Sequence, residues 1–267
     1  MSVAALGASR VGYETRGYFR SLDQVFFTFL FPVLMLGIFA AAFSTVTIDA
    51  GPGVTLTMAD YYLPAMLAAG ILLSGVQNLA VDIATEKSDG TLKRLGGTPL
   101  PPVSYFVGKI GMVFTTAVLQ AALLIAVAAL AFGVELPSEP ARWATFAWVF
   151  VLGVAGSALL GIALSALPRS GKSATAVVIP IVLLLQFISG VYLQFSMLPE
   201  WMQNLASLFP LKWLAQGMRA VFLPDGFAVL EQGEAWNLGW VAAVLALWLV
   251  VGLVLSRLTF RWIRRDA

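Results

Sequence analysis

Cysteine and histidine are both absent from this chain of 267 residues. That removes thiol nucleophiles, disulfides, imidazole bases and the common His or Cys metal sites. Charge is scarce as well: 11% of residues are charged, against roughly 25% in a soluble domain. The little charge present avoids long stretches altogether. Gln24–Thr45, Tyr61–Val81, Ile110–Val134, Trp143–Leu167, Ser173–Leu198 and Ala235–Ser256 contain no Asp, Glu, Lys or Arg. About 20 such residues cross the hydrocarbon of a bilayer as a helix. A water-soluble helix exposes one face and cannot shed charge so completely. The composition therefore predicts an all-α membrane protein with six transmembrane helices. One domain over 1–267 is expected, because the longest stretch outside the spans, Pro199–Glu234, falls short of the roughly 50 residues an independent domain needs.

Lys and Arg set the expected orientation. Of the 16 such residues, all but Arg142, Lys212 and Arg219 fall on one side of the six spans. The positive-inside rule places both termini in the cytoplasm. Trp143, Trp201, Trp213, Trp236 and Trp240 then cluster near the outer boundary, as an interfacial belt does. The reading is a multi-pass protein of a bacterial inner membrane, with residues 1–23 as a cytoplasmic interface helix, 24–258 as the membrane domain and 259–267 as a basic tail. Arg257, Arg261, Arg264 and Arg265 suit anionic lipid headgroups there. A cleaved signal peptide is the rival for the first span, since Arg16 and Arg20 precede it and Ala40-Ala41-Ala42 offers small residues. The apolar run exceeds the roughly 7–15 residues of a signal core, which favours a span.

Within 1–23, Arg16, Arg20 and Asp23 fall at i, i+4 and i+7, which predicts one charged face of a short amphipathic helix lying on the inner surface. On the outer side, Gly51-Pro52-Gly53 signals a turn. Before the last span, Leu198, Trp201, Met202, Leu205, Leu208 and Phe209 share one helical stripe. After Pro210, Leu211, Leu214, Ala215, Met218, Val221 and Phe222 share another, with Lys212, Gln216 and Arg219 opposite. Two amphipathic helices broken at a proline predict a re-entrant hairpin dipping into the outer leaflet or lying along it.

The stretch 82–109 between the second and third spans is far longer than a simple connection requires. Asp82, Glu86 and Asp89 recur at i, i+4 and i+7, predicting an acidic stripe. Gly90 permits the left-handed backbone that ends a helix. Thr91–Leu95 can form a short helical turn with Leu92 and Leu95 on one side, ended by Gly96-Gly97. Pro99, Pro101 and Pro102 stiffen the return, and Ser104 is a candidate cap for the next helix. The mixed charge of this element points to a protein partner. A purely basic loop would have suited lipid or nucleic acid, and no nucleic acid is expected.

These residues resemble a known family. Glu86…Gly90-Thr91-Leu92…Leu95…Thr98-Pro99-Leu100, followed by Gly108-Lys109, is similar to the intracellular signature of the ABC type-2 (ABC-2) permeases, the membrane subunits of ATP-binding cassette exporters. Leu198-Pro199-Glu200-Trp201 and Phe209-Pro210-Leu211…Gly217-Met218-Arg219 resemble the segment before the last span in the daunorubicin-resistance-type branch, and Phe31-Pro32 also fits. The resemblance implies that Glu86, Gly90, Thr91, Leu92, Leu95, Thr98, Pro99 and Leu100 form a coupling helix seated in a groove of a separate ATPase. It implies that residues 1–23 match the family's connecting helix, and that two permease chains, alike or different, assemble with two ATPase chains that bind the ATP and Mg. Gly96-Gly97 departs from the bulkier residues many members carry.

The residues independently call for a separate energy source. No Gly-x-x-x-x-Gly-Lys-[Ser/Thr] phosphate loop is present. Ser170-Gly171-Lys172-Ser173 ends like one but lacks the upstream glycine, and suits a basic turn between spans. No catalytic residue, metal site or bound cofactor is expected. The spans hold no ionisable residue in their interiors, where ion-coupled carriers usually place one. That favours an apolar or amphipathic cargo such as a drug, lipid or natural product. Gln77, Asn78, Gln120, Gln186 and Phe187 are the candidate cavity residues, although polar groups in spans also serve as interhelical bonds. Gly153, Gly156 and Gly161 predict a closely packed fourth span, and Pro32, Pro64 and Pro180 predict bends. The alternatives are an ion-coupled transporter or channel, and an intramembrane enzyme or scaffold. Gly153–Gly156–Ser157 superficially resembles a serine site, with no His to activate it.

Overall fold

The computed structural model describes residues 3–49, 55–168 and 170–260. Gly51-Pro52-Gly53, Arg169, Arg261, Arg264 and Arg265 lie outside the described residues. Among the described residues, six helices are long and apolar enough to cross a membrane. The element order is α1 (Val3–Arg20), α2 (Leu22–Ala42, first span), β1 (Ile48–Asp49), β2 (Thr55–Leu56), α3 (Met58–Ser88, second span), α4 (Thr91–Gly96), α5 (Pro102–Phe132, third span), α6 (Pro140–Leu164, fourth span), α7 (Gly171–Ile188, fifth span), α8 (Glu200–Ala206), α9 (Pro210–Phe222) and α10 (Leu238–Thr259, sixth span). The two strands pair antiparallel, with Ile48 opposite Leu56.

Local chemistry fixes most helix ends. Thr57 and Asp60 form a reciprocal capping box at the start of α3, which satisfies donors that the helix itself leaves free. Ser170 and Ser173 do the same for α7, so the residues that resembled the end of a phosphate loop serve as a helix cap. α5, α6 and α9 each begin with proline in the first turn, where the missing N–H costs nothing. Pro102 takes that position in α5. Ser104 is therefore already the third residue of the helix, and is not its cap. Gly133, at φ +68°, closes α5.

α3 is the centre of the bundle, with 78% of its most apolar window buried, against 17% for α2 and α10. The latter two give most of their surface to the surroundings, which in a bilayer is lipid. Lipid tails are as apolar as the helices, so close van der Waals packing, not hydrophobicity, holds spans together. Gly161 shows this best: a Cβ there would stand 2.1 Å from the Gly75 carbonyl oxygen. The contact joins α6 to a π-helical segment, Leu73–Asn78, inside α3. Gly153 accommodates Leu214 of α9 in the same way.

Three expectations change. Asp23 does not share a face with Arg16 and Arg20, because the backbone leaves the helix at Ser21 (φ −90°, ψ 89°) and α2 begins afresh. The fifth span stops at Ile188, ten residues before Leu198; Gly190 adopts φ +76°, and the turn after it is held by Tyr61 and Tyr62 hydroxyls donating to the Leu193 and Tyr192 carbonyls at 3.3 and 3.0 Å. The polar side of α9 does not face outward either. Lys212, Gln216 and Arg219 are all buried, because α9 packs against α3, α6 and α10 on every side. α8 keeps the surface character, with Trp201 64% exposed.

Candidate functional site

The end of the bundle that carries α4 is built around one lysine. Lys109, in the second turn of α5, is fully buried, and its three N–H donors meet three carboxylates. Nζ stands 2.8 Å from Glu14 Oε2, 2.5 Å from Asp82 Oδ2 and 2.8 Å from Glu86 Oε1. An ammonium has three donors and no acceptor, so the set is saturated. Tyr105 donates to the other Glu86 oxygen at 2.7 Å, and Arg10 pairs with Glu14 at 2.6 Å. Carboxylates this close could hold a cation, and the ammonium is that cation.

The cluster joins α1, α3 and α5. α1 lies along α5 on a glycine seam: a Cβ at Gly108 would meet Arg10, and one at Gly111 would meet Val11, at 2.4 and 2.5 Å. A second polar tie lies nearby. Tyr18 donates to Thr28 at 2.5 Å and Asn78 donates to the same hydroxyl at 2.7 Å, joining α1, α2 and α3. Burial pushes the Tyr18 phenol up to about 12, so it stays a donor throughout the physiological range.

α4 is attached to this frame by its leucines. Gly90 takes φ +80°, and Asp89 accepts from the Thr91 N–H at 2.8 Å. Hydrogen bonding from Thr91, through its side chain first and its N–H second, holds the Asp89 carboxyl below the usual range. Leu92 is buried, and Leu95 and Leu100 pack against the core. Lys93, Arg94, Gly96, Gly97, Thr98 and Pro99 are exposed. The start of α7 is tied in as well: the Gly171 N–H donates to Ser88 Oγ at 3.0 Å. α4 thus packs on the end of α3, to which α7 is tied through Ser88, with one polar, proline-stiffened side outward.

The expected coupling residues therefore divide. Gly90, Thr91, Leu92, Leu95, Thr98, Pro99 and Leu100 form one compact element. Glu86 lies beneath it, inside the Lys109 cluster. The acidic stripe is not one outward surface: Asp82 and Glu86 turn to Lys109, while Asp89 stays exposed and accepts from the Thr91 N–H. The outward side at α4 keeps Lys93 and Arg94, with Asp89 as the exposed acid of the stripe. Glu14 and Tyr105 were not singled out from the sequence. A clue to the cluster existed in Lys109, a lone cation between Gly108 and Gly111 at the head of an apolar helix, one helical turn past Tyr105.

The five cavity candidates are not brought together. Gln77 is half-buried and Asn78 is bonded to Thr28. Gln120 is buried against Gly70, with both amide atoms unpartnered. Gln186 accepts from the Tyr192 hydroxyl at 2.6 Å, and Phe187 is 51% exposed.

The opposite end has its own polar cluster. Arg219 makes a two-pronged pair with Glu231, both 1% exposed, and donates to the Gly190 carbonyl at 3.2 Å. Lys212 donates to Gln216 at 2.5 Å and lies 3.6 Å over the Trp213 ring.

Comparison with known proteins agrees with this architecture. A family profile described as ABC-2 family transporter protein matches residues 44–258. The Escherichia coli K12 protein described as probable multidrug ABC transporter permease YbhR is 22% identical over 179 residues, covering 67% of this chain and 48% of that protein. Its counterpart in Escherichia coli O157:H7 gives the same figures. The chain spans about half the length of these curated relatives. Six spanning helices, a braced helical element between the second and third of them, and a profile match over well over half the chain place this multi-pass membrane protein in the ABC-2 transporter family.

Proposed function

We propose that this chain is the membrane subunit of an ATP-binding cassette exporter, and that α4 is the element through which a separate ATPase drives it. The α4 end would then face the cytoplasm, as the positive-inside count expects, and each of two permease chains would take one ATPase. A multidrug permease among the relatives and the uncharged middle of the spans support a hydrophobic or amphipathic cargo, whether drug, lipid or natural product. On this reading ATP and Mg belong to the ATPase, and this chain performs no catalysis.

The observation that carries the proposal is the two-sided build of α4. Its leucines fasten it to the bundle, while Lys93, Arg94, Thr98 and Pro99 are left outward. Force applied to that side reaches α3 directly, α7 through Ser88, and α1 and α5 through the Lys109 cluster. The spans would rock together and expose an inward cavity to the other side. Charges of the cluster do not favour ion-coupled transport, since they sit at the helix ends and are paired, whereas coupled carriers hold them near the midplane.

The absence of native cysteine makes a direct test clean. The chain carrying Thr98→Cys is co-expressed with a candidate cassette ATPase, and a short cross-linker is added. Cross-linking to the ATPase at Thr98→Cys, and none at Ser138→Cys on the opposite end, is expected. Equal yields at both, or a product only at Ser138→Cys, would reject the assignment.

A further inference from the structure

Beside the Lys109 cluster, α1, the start of α2 and α3 enclose a polar crevice of about 720 Å³. Its charges do not cancel. Arg10 and Lys109 meet three carboxylates, Glu14, Asp82 and Glu86, which leaves one negative charge in excess. Asp82 is the most exposed of the three, at 30%, and it lines the crevice. Arg16 and Arg20 line the same crevice. Both are exposed, and neither lies within ion-pair distance of a carboxylate among the described residues. One cleft thus offers a part-exposed carboxylate that shares the Lys109 ammonium with two others, and two guanidinium groups outside ion-pair distance of any described carboxylate.

We infer that this crevice seats the headgroup of a zwitterionic aminophospholipid, a lipid of the phosphatidylethanolamine class. Its phosphate accepts from Arg16 and Arg20, for which a planar guanidinium is well matched. Its primary ammonium donates to Asp82. The volume lies within the range of small-molecule sites. Ser21 and Gln24 form part of the wall, and the chain continues from them into α2, where Phe26, Phe27 and Leu30 are 45%, 55% and 43% exposed. Acyl chains have apolar surface to follow from the cleft. An anionic lipid satisfies the arginines but leaves Asp82 facing more negative charge. A choline headgroup satisfies the arginines too, but has no N–H to give Asp82. The bound lipid would bridge α1 to α3, and it is a fixed component of the subunit, separate from any cargo.

The test uses the full chain, delipidated in detergent, mixed with dioleoyl lipids and read as bound-lipid adducts by native mass spectrometry. The ethanolamine lipid should outbind the choline and glycerol lipids by roughly tenfold, the effect of one charge-assisted hydrogen bond. Arg16→Gln with Arg20→Gln should weaken retention of all three lipids while leaving the lipid-free melting temperature unchanged, because both side chains are exposed, and Asp82→Asn should remove the preference for the ethanolamine lipid. Free phosphoethanolamine should compete weakly, since it lacks the acyl contacts. Equal or stronger retention of the choline or glycerol lipid would overturn the inference. So would retention undiminished by the double substitution, a preference that survives Asp82→Asn, or full displacement by free phosphoethanolamine.

Discussion

The two buried charge clusters of this protein are built on opposite plans. At the far end, Arg219 and Glu231 are 12 residues apart in sequence and both 1% exposed. They pin α9 to the loop that follows it and to the Gly190 turn. At the α4 end, Lys109 reaches Glu14, 95 residues away, and binds three helices through carboxylates of graded exposure, from 6% at Glu14 to 30% at Asp82. The first is a local lock that water does not reach. The second is a joint between elements, open to water on one side. A buried pair is costly to assemble and costlier to break, so the lock suits a part that stays fixed. A joint whose partners can be rehydrated suits a part that moves.

That contrast predicts a ranking. Glu231→Gln leaves the Arg219 guanidinium buried without its counter-charge, and should cost about 3–5 kcal/mol in detergent unfolding. Lys109→Met should cost less, about 2 kcal/mol, because Asp82 and Glu86 can draw in water. A larger loss at Lys109 than at Glu231 would break the distinction between lock and joint. Between the two ends, Gly161→Ala tests the seam that joins α6 to the π segment of α3. The added methyl meets a backbone carbonyl, so a loss of about 3 kcal/mol is expected. Gly70→Ala meets only the Gln120 amide, which can swing aside, and should cost about 1 kcal/mol. Equal losses would mean the seam is not rigid. The smallest effect on folding belongs to Lys93→Gln with Arg94→Gln: exposed side chains shift stability by under about 0.5 kcal/mol, while ATPase stimulation by the permease should fall and become less sensitive to salt.

Much of the fold was legible in the sequence, because a span writes itself as about 20 residues without charge, whatever its neighbours. Gly90, the short turn after it and the leucine side of that turn were legible for the same reason, since each obeys a local rule. The close packing at Gly153 and Gly161 could also be anticipated from residue size. Pairings between distant elements could not. Asp82 and Glu86 look alike on paper whether they face solvent or Lys109, and only the fold brings Glu14 to them. The polar side of α9 misled in the same way. Amphipathic spacing reports that one face differs from the other, but not that Lys212 and Arg219 find Gln216 and Glu231 inside the protein. The end of the fifth span was hidden because its continuation to Leu198 remains uncharged, and only Gly190 hints at the turn.

On the proposed function, the Lys109 cluster carries force from α4 to the spans. ATP hydrolysis by the companion ATPase, reconstituted in vesicles with Lys109→Met, tests this directly when cross-linking through Thr98→Cys is followed in the same preparation. Cross-linking at the level of the unsubstituted chain, with permease-stimulated hydrolysis lost, is the expected result. Stimulation that persists at full strength while the cluster is broken would contradict it.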